Sequence, residues 1–111
     1  MKKTDWESFF EQEIQRAEIA RSVGNQGMAR VCARRAAGIV IGEYLLRKGL
    51  SDLDPGAYDR LRYLSYLPEI SPQARLVASH LLTRLTPEHT LPIDVDLIAE
   101  TRWLKENLLS L

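Results

Sequence analysis

The sequence predicts an all-α fold, an up-and-down bundle of four to five helices, and three observations lead there. Apolar residues recur at three- and four-residue intervals in five separate segments. Nowhere do apolar and polar residues alternate as they do along a half-buried strand. Glycine, proline and asparagine separate the segments, and connections mostly under about ten residues suit antiparallel neighbours.

The first segment opens with Thr4 and Glu7 at the spacing of a capping box, in which each side chain satisfies an otherwise unpaired backbone N–H. Trp6, Phe9, Phe10, Ile14 and Ala17 follow at helical intervals and predict a helix over 5–22. Gly24-Asn25-Gln26-Gly27 then breaks the chain, since glycine and asparagine tolerate the backbone angles that end helices.

From Met28 to Lys48 no proline interrupts a segment whose apolar centre is Ala36-Ala37-Gly38-Ile39-Val40-Ile41-Gly42. Arg47 and Lys48 suit a helix C-terminus, and Gly49 a cap. Ala33, Ala37, Gly38 and Gly42 would let a neighbouring backbone come close, and that gain offsets the ~1 kcal/mol each glycine costs in a helix interior. This segment is expected to be the central helix, paired with the first as an antiparallel hairpin and carrying the other three across the open face.

Ser51-Asp52-Leu53-Asp54-Pro55 reads as a loop leading to an N-cap with proline in the first turn, and a shorter helix follows from Tyr58 to Leu67, ended by Pro68. Ser71-Pro72 repeats the start signal, and Ala74, Leu76, Val77, Leu81, Leu82 and Leu85 continue a fourth helix as far as Thr86-Pro87. Beyond Thr90 and Pro92, Asp94 or Asp96 caps a last helix marked by Leu97, Ile98, Leu104 and Leu108.

At 111 residues the chain suits a single domain over 1–111, able to bury roughly 65% of its unfolded surface. Fifteen basic and fifteen acidic residues leave no formal net charge, so no long-range field draws the whole molecule to nucleic acid or an anionic membrane. Any such binding has to come from a local patch. Near-neutrality also protects poorly against self-association, which favours an oligomer.

The lone Cys32 forms no internal disulfide and has no partner at zinc-site spacing, as expected in the cytoplasm. Its apolar neighbours make it a core residue. Met1 to Glu7 lacks the apolar run of a signal peptide, and no apolar stretch approaches the ~20 residues of a membrane span. No glycine-rich phosphate loop, His-Glu-x-x-His or nucleophile elbow occurs, and no helix carries the Glu-x-x-His of a di-iron bundle. Neither cofactor nor metal is expected.

Between Gln26 and Lys48, Arg30, Arg34, Arg35, Arg47 and Lys48 stand against Glu43 alone, while the first helix is acidic through Asp5, Glu7, Glu11, Glu13 and Glu18. Arg30 and Arg34, four residues apart, share a face. The favoured expectation pairs them with first-helix carboxylates, each exposed pair contributing about 0.2 to 1 kcal/mol. The sharper one makes them a phosphate-binding edge.

Arg60-Leu61-Arg62-Tyr63-Leu64-Ser65-Tyr66 interleaves basic and aromatic residues, as stacking on single-stranded bases would use, or as a short amphipathic helix closing a core edge would. Arg30, Arg34, Arg60 and Arg62 are therefore the candidate nucleic-acid contacts.

The order of segments resembles the HEPN family of small helical bundles, which commonly dimerise. The likeness is carried by the second segment, Gly27-Met28-Ala29-Arg30-Val31-Cys32-Ala33-Arg34-Arg35-Ala36-Ala37-Gly38-Ile39-Val40-Ile41-Gly42-Glu43-Tyr44-Leu45-Leu46, an alanine-rich stretch followed by an apolar run and then Gly49. The closing Asp96-Leu97-Ile98-Ala99-Glu100-Thr101-Arg102-Trp103-Leu104 is similar to the family's last helix. Catalytic members are metal-independent ribonucleases marked by arginine, four to six residues, then histidine, and Arg75-Leu76-Val77-Ala78-Ser79-His80 has that spacing. Leu76 stands where active members usually carry a polar residue, and Leu82 where a tyrosine is sometimes found.

The resemblance implies a homodimer acting on RNA, with Arg75 and His80 as the catalytic pair of an endoribonuclease and with a protein partner such as a cognate antitoxin. The alternative is a non-catalytic dimeric interaction module, which would expose an apolar patch around Trp103 or Tyr63. In the catalytic reading His80 moves a proton at the ribose 2′-hydroxyl or leaving oxygen while Arg75 holds the phosphate. Five residues on a helix turn through about 140°, so the two side chains do not lie side by side unless Arg75 reaches around or a dimer supplies one from each copy. The residue-level alternative makes His80 a partly buried histidine bonded to a neighbour, Arg75 a surface charge near Glu69, and His89 an exposed loop residue.

Overall fold

The computed structural model describes residues 5–50, 56–88 and 90–109. The Thr4 half of the expected capping box, the loop 51–55 and His89 lie outside them. The helices are α1 (Asp5–Ser22), α2 (Gln26–Arg47), α3 (Ala57–Tyr66), α4 (Pro72–Leu82) and α5 (Leu97–Leu109). No strand occurs among the described residues.

Local chemistry sets the boundaries. Gly24, at φ 79°, ends α1 in a conformation that glycine adopts without a Cβ clash. Asn25 is the N-cap of α2, its Oδ1 accepting from the Met28 N–H at 3.0 Å, so α2 starts at Gln26 rather than Met28. Ser71 caps α4 by accepting from Ala74 N–H at 3.1 Å, with Pro72 in the first turn. Asp96 is the residue that caps α5, accepting from Ala99 N–H at 3.0 Å. The fourth helix stops at Leu82 instead of reaching Leu85, because Thr83 turns extended (ψ 131°) and its carbonyl is taken by Arg30 at 2.7 Å.

α1 and α2 form the expected antiparallel hairpin, which brings Arg47 at the end of α2 over the Trp6 ring at the start of α1, 5.9 Å from its centroid. Ala17 on α1 and Ala33, Ala36 and Ala37 on α2 are fully buried, which lets helices lie close. α5 starts beside the end of α1, where Arg21 meets Asp96 at 3.0 Å. It finishes beside the end of α2, where Arg47 Nη1 donates to the Leu109 carbonyl at 3.1 Å. α4 runs the opposite way, its C-terminal end lying by the start of α2 through the Arg30 bond to Thr83. Helices α1, α2, α4 and α5 thus alternate in direction.

α3, ten residues long, packs against the middle of α2 at Gly38 and Gly42. The central position of α2 follows from its apolar content: it touches every other helix. Phe10, Ile14, Val40, Ile41, Leu45, Leu61, Leu64, Leu81 and Leu104 form the fully buried heart of the core. Cys32 is buried with them. Each such large side chain contributes about 1.5 to 3 kcal/mol by leaving water. Among the described residues no helix is long and apolar enough to cross a membrane.

Candidate nucleic-acid interface

One ridge of α2 organises the candidate surface. Arg30, Arg34, Gly38 and Gly42 recur every four residues and therefore fall on one face. The two glycines on that ridge carry α3, so the two arginines on its N-terminal half point the same way, toward α3 and the segment after α4. The expected pairing of Arg30 and Arg34 with the carboxylates of α1 is therefore not formed. Those carboxylates are engaged elsewhere: Glu11 and Glu18 face Arg102 of α5 at 3.5 and 3.9 Å, and Glu13 faces Arg16 at 3.5 Å.

Arg34 and Arg62 both lie against the Tyr58 ring, 5.6 and 5.8 Å from its centroid. Cation–π contacts of this kind attract a guanidinium to the ring face without neutralising it. Tyr66 and then Tyr58 beside Arg62 push its pKa above the ordinary arginine value. Arg30 spends its Nε on Thr83, which sets it next to Arg84. Burial, and then the charges of Arg34 and Arg84, push the Arg30 pKa down. Arg34 is lowered mainly by burial, with Tyr58 opposing and Arg84 adding to the fall, and its Nε is buried without a hydrogen-bond partner. Among the described residues no carboxylate forms an ion pair with Arg30, Arg34, Arg62 or Arg84. The result is a cationic surface with exposed aromatic edges, Tyr58 and Tyr66, whose arginines form no ion pair with a carboxylate among those residues.

Arg60 does not belong to this surface. Its Nη1 donates to the carbonyl of Gly38 at 2.8 Å, and its guanidinium fills the space beside Gly42. Leu61 and Leu64, from the same basic and aromatic run, are fully buried. The run is thus an amphipathic helix that also presents Arg62 and Tyr66 outward.

Arg75 and His80 are directed to different helices. Arg75 Nε donates to the Ser65 carbonyl at 3.0 Å and its Nη2 to the Leu67 carbonyl at 2.9 Å, closing the C-terminal end of α3. Its guanidinium is a helix cap and does not sit beside the imidazole. His80 faces α5, with Nδ1 at 2.8 and 3.0 Å from the two oxygens of Glu100. A carboxylate only accepts, so the neutral imidazole carries its proton on Nδ1 and presents Nε2 as the basic atom. Both side chains of the pair are about one-fifth exposed, at 19% and 23%.

Tyr58, Arg84 and Glu100 are not among the site residues that the sequence singles out. The four-residue row from Arg30 to Gly42 was the available signal for the first two, since it shows which way the arginines turn. Nothing in sequence marks Glu100, whose link to His80 depends on how α4 and α5 pack.

Trp103 is partly buried against the core, Tyr63 is 38% exposed, and the other exposed large apolar residues are spread over α1 to α4. No group of three His, Cys, Asp or Glu side chains able to hold a metal occurs among the described residues. No protein-family model, no curated protein and no solved structure matches this chain.

Proposed function

We propose that this protein is a HEPN-like helical bundle that binds RNA through the surface of Arg30, Arg34, Tyr58, Arg62, Tyr66 and Arg84. The observation that carries this reading is the pair of guanidiniums on Tyr58 with no carboxylate among the described residues to neutralise them. Here two guanidiniums are held beside one ring, in reach of a strand's phosphates, while the edges of Tyr58 and the largely exposed Tyr66 offer stacking area. With no net charge on the chain, attraction is local to this face.

The test is fluorescence anisotropy of a labelled single-stranded RNA titrated with the wild type, Arg34→Ala and Arg62→Ala. Affinity should fall in both variants and with added salt. Equal affinities for all three proteins would overturn the reading.

A second reading rests on His80 and Glu100. A histidine held in one tautomer by a carboxylate is the arrangement a general base needs, and it is compatible with metal-independent RNA cleavage. Arg75 is spent on α3, so the phosphate would have to be held by another arginine. Cleavage of RNA in chelator by wild type, abolished in His80→Ala and reduced in Glu100→Gln, is the expected result under this reading. Under either reading the protein acts in the cytoplasm as a homodimer beside a protein partner such as a cognate antitoxin, and sedimentation of the purified chain tests the dimer.

A further inference from the structure

The part of the surface built by Arg30, Arg34 and Arg84 differs in chemistry from the part built by Arg62 and Tyr66. Arg30 and Arg34 come from one ridge of α2, and Arg84 comes from the extended segment after α4. The bond from Arg30 Nε to the Thr83 carbonyl, 2.7 Å, ties the two sources together and leaves Nη1 and Nη2 of Arg30 unengaged among the described residues. Arg34 adds a buried Nε with no acceptor. The bond to Thr83 places Arg30 beside the segment that carries Arg84, and no described carboxylate pairs with Arg30, Arg34 or Arg84.

A phosphodiester within a strand offers one negative charge and two unbridged oxygens. A phosphomonoester carries about 1.5 to 2 charges at neutral pH and three terminal oxygens. Bidentate arginine contacts match such oxygens closely, and three donors around one group satisfy a terminal phosphate better than an internal one. We propose that Arg30, Arg34 and Arg84 form a subsite for a terminal phosphomonoester of the bound RNA strand. This inference rests on the RNA-binding reading and adds that the protein selects strand ends by their phosphorylation.

The experiment uses the full chain and four probes: one RNA sequence carrying an internal label, made with a 5′-phosphate, with a 3′-phosphate and with neither, and a phosphoserine peptide. One or both phosphorylated strands should bind about tenfold more tightly than the strand without an end phosphate. Which of the two does so identifies the end that is read. Arg84→Gln, at an exposed position, should remove that preference while leaving residual binding. Arg62→Gln should weaken all three strands alike. Equal binding of the three strands overturns the end-phosphate inference and leaves the RNA reading standing. Binding of no strand removes the RNA reading and this inference with it. A phosphopeptide bound more tightly than any strand overturns both in favour of a phosphoprotein partner.

Discussion

Arg60 donates from Nη1 to the carbonyl oxygen of Gly38 at 2.8 Å, and its guanidinium lies where a side chain on Gly42 would begin. A Cβ on Gly42 would meet Arg60 Nη1 at 2.6 Å, the movable end of a long side chain. A Cβ on Gly38 would instead meet Ala57 Cβ at 2.9 Å and Ala57 Cα at 3.0 Å, so α3 itself would have to move. Alanine restores about 1 kcal/mol of helix propensity at either site. At Gly38 overpacking costs about 1 to 3 kcal/mol, and Gly38→Ala should be destabilising on balance. At Gly42 the main loss is the Arg60 bond, about 1 kcal/mol, so Gly42→Ala should be near neutral. Urea unfolding of the two variants decides it, and equal midpoints would refute the distinction.

Arg75 contributes through α3. Its two bonds to Ser65 and Leu67 occupy carbonyls that the end of α3 leaves without helical partners. Arg75→Ala should lower stability by about 1 to 2 kcal/mol, and Arg75→Lys should recover only part of it, since an ammonium lacks the planar fork that spans two carbonyls. RNA affinity, compared at a temperature where both proteins are folded, should hardly change. A variant of unchanged stability but abolished RNA cleavage would instead make Arg75 catalytic.

Much of the fold was legible because its signals are local. Asp5 to Ser22, Ser71-Pro72 and Asp96 stand where capping and periodicity put them. The sequence misleads where one residue type serves two roles. Asn25 ends helices and also begins them, and here it begins one. Leu85 keeps the helical period although Thr83 has already turned the chain outward. The candidate site was less legible: Arg30 and Arg34 declare a shared face, but whether that face meets the acids of α1 or the tyrosines of α3 is decided by which ridge carries Gly38 and Gly42. Arg75 and His80 share a helix and a family-like spacing, yet Arg75 is taken by carbonyls of α3 and of the turn after it, and His80 by Glu100 on α5, partners no local pattern encodes.

Cys32 is buried between α1 and the core, and burial first, then Glu13, push its thiol pKa up. A raised folded-state value means that stability is fully present below the unfolded thiol's pKa and is lost as pH climbs through the folded one. The thiolate is the reactive species, so native protein should alkylate far more slowly at pH 8 than protein unfolded in urea. Cys32→Ser should flatten the alkaline decline in stability. Labelling of the native thiol at the rate of the unfolded chain would show that the site opens or is exposed.

Salt dependence separates the arginines proposed to touch phosphate from arginines that hold the fold. For single strands the slope of log affinity against log salt is about −0.7 per phosphate neutralised. Arg34 and Arg62 both lie against Tyr58, and Arg34→Ala or Arg62→Ala should each make the slope shallower by about 0.7. Arg60 is turned inward onto Gly38, so Arg60→Ala should leave the slope intact and lower the urea midpoint instead. Because the chain has no net charge, removing one distant cation has little field to alter, and any change in slope reports a phosphate no longer neutralised at the surface itself. If Arg60→Ala shifts the slope as much as Arg62→Ala does, the strand lies along α3 on the side facing α2, and Arg60 leaves Gly38 to meet it.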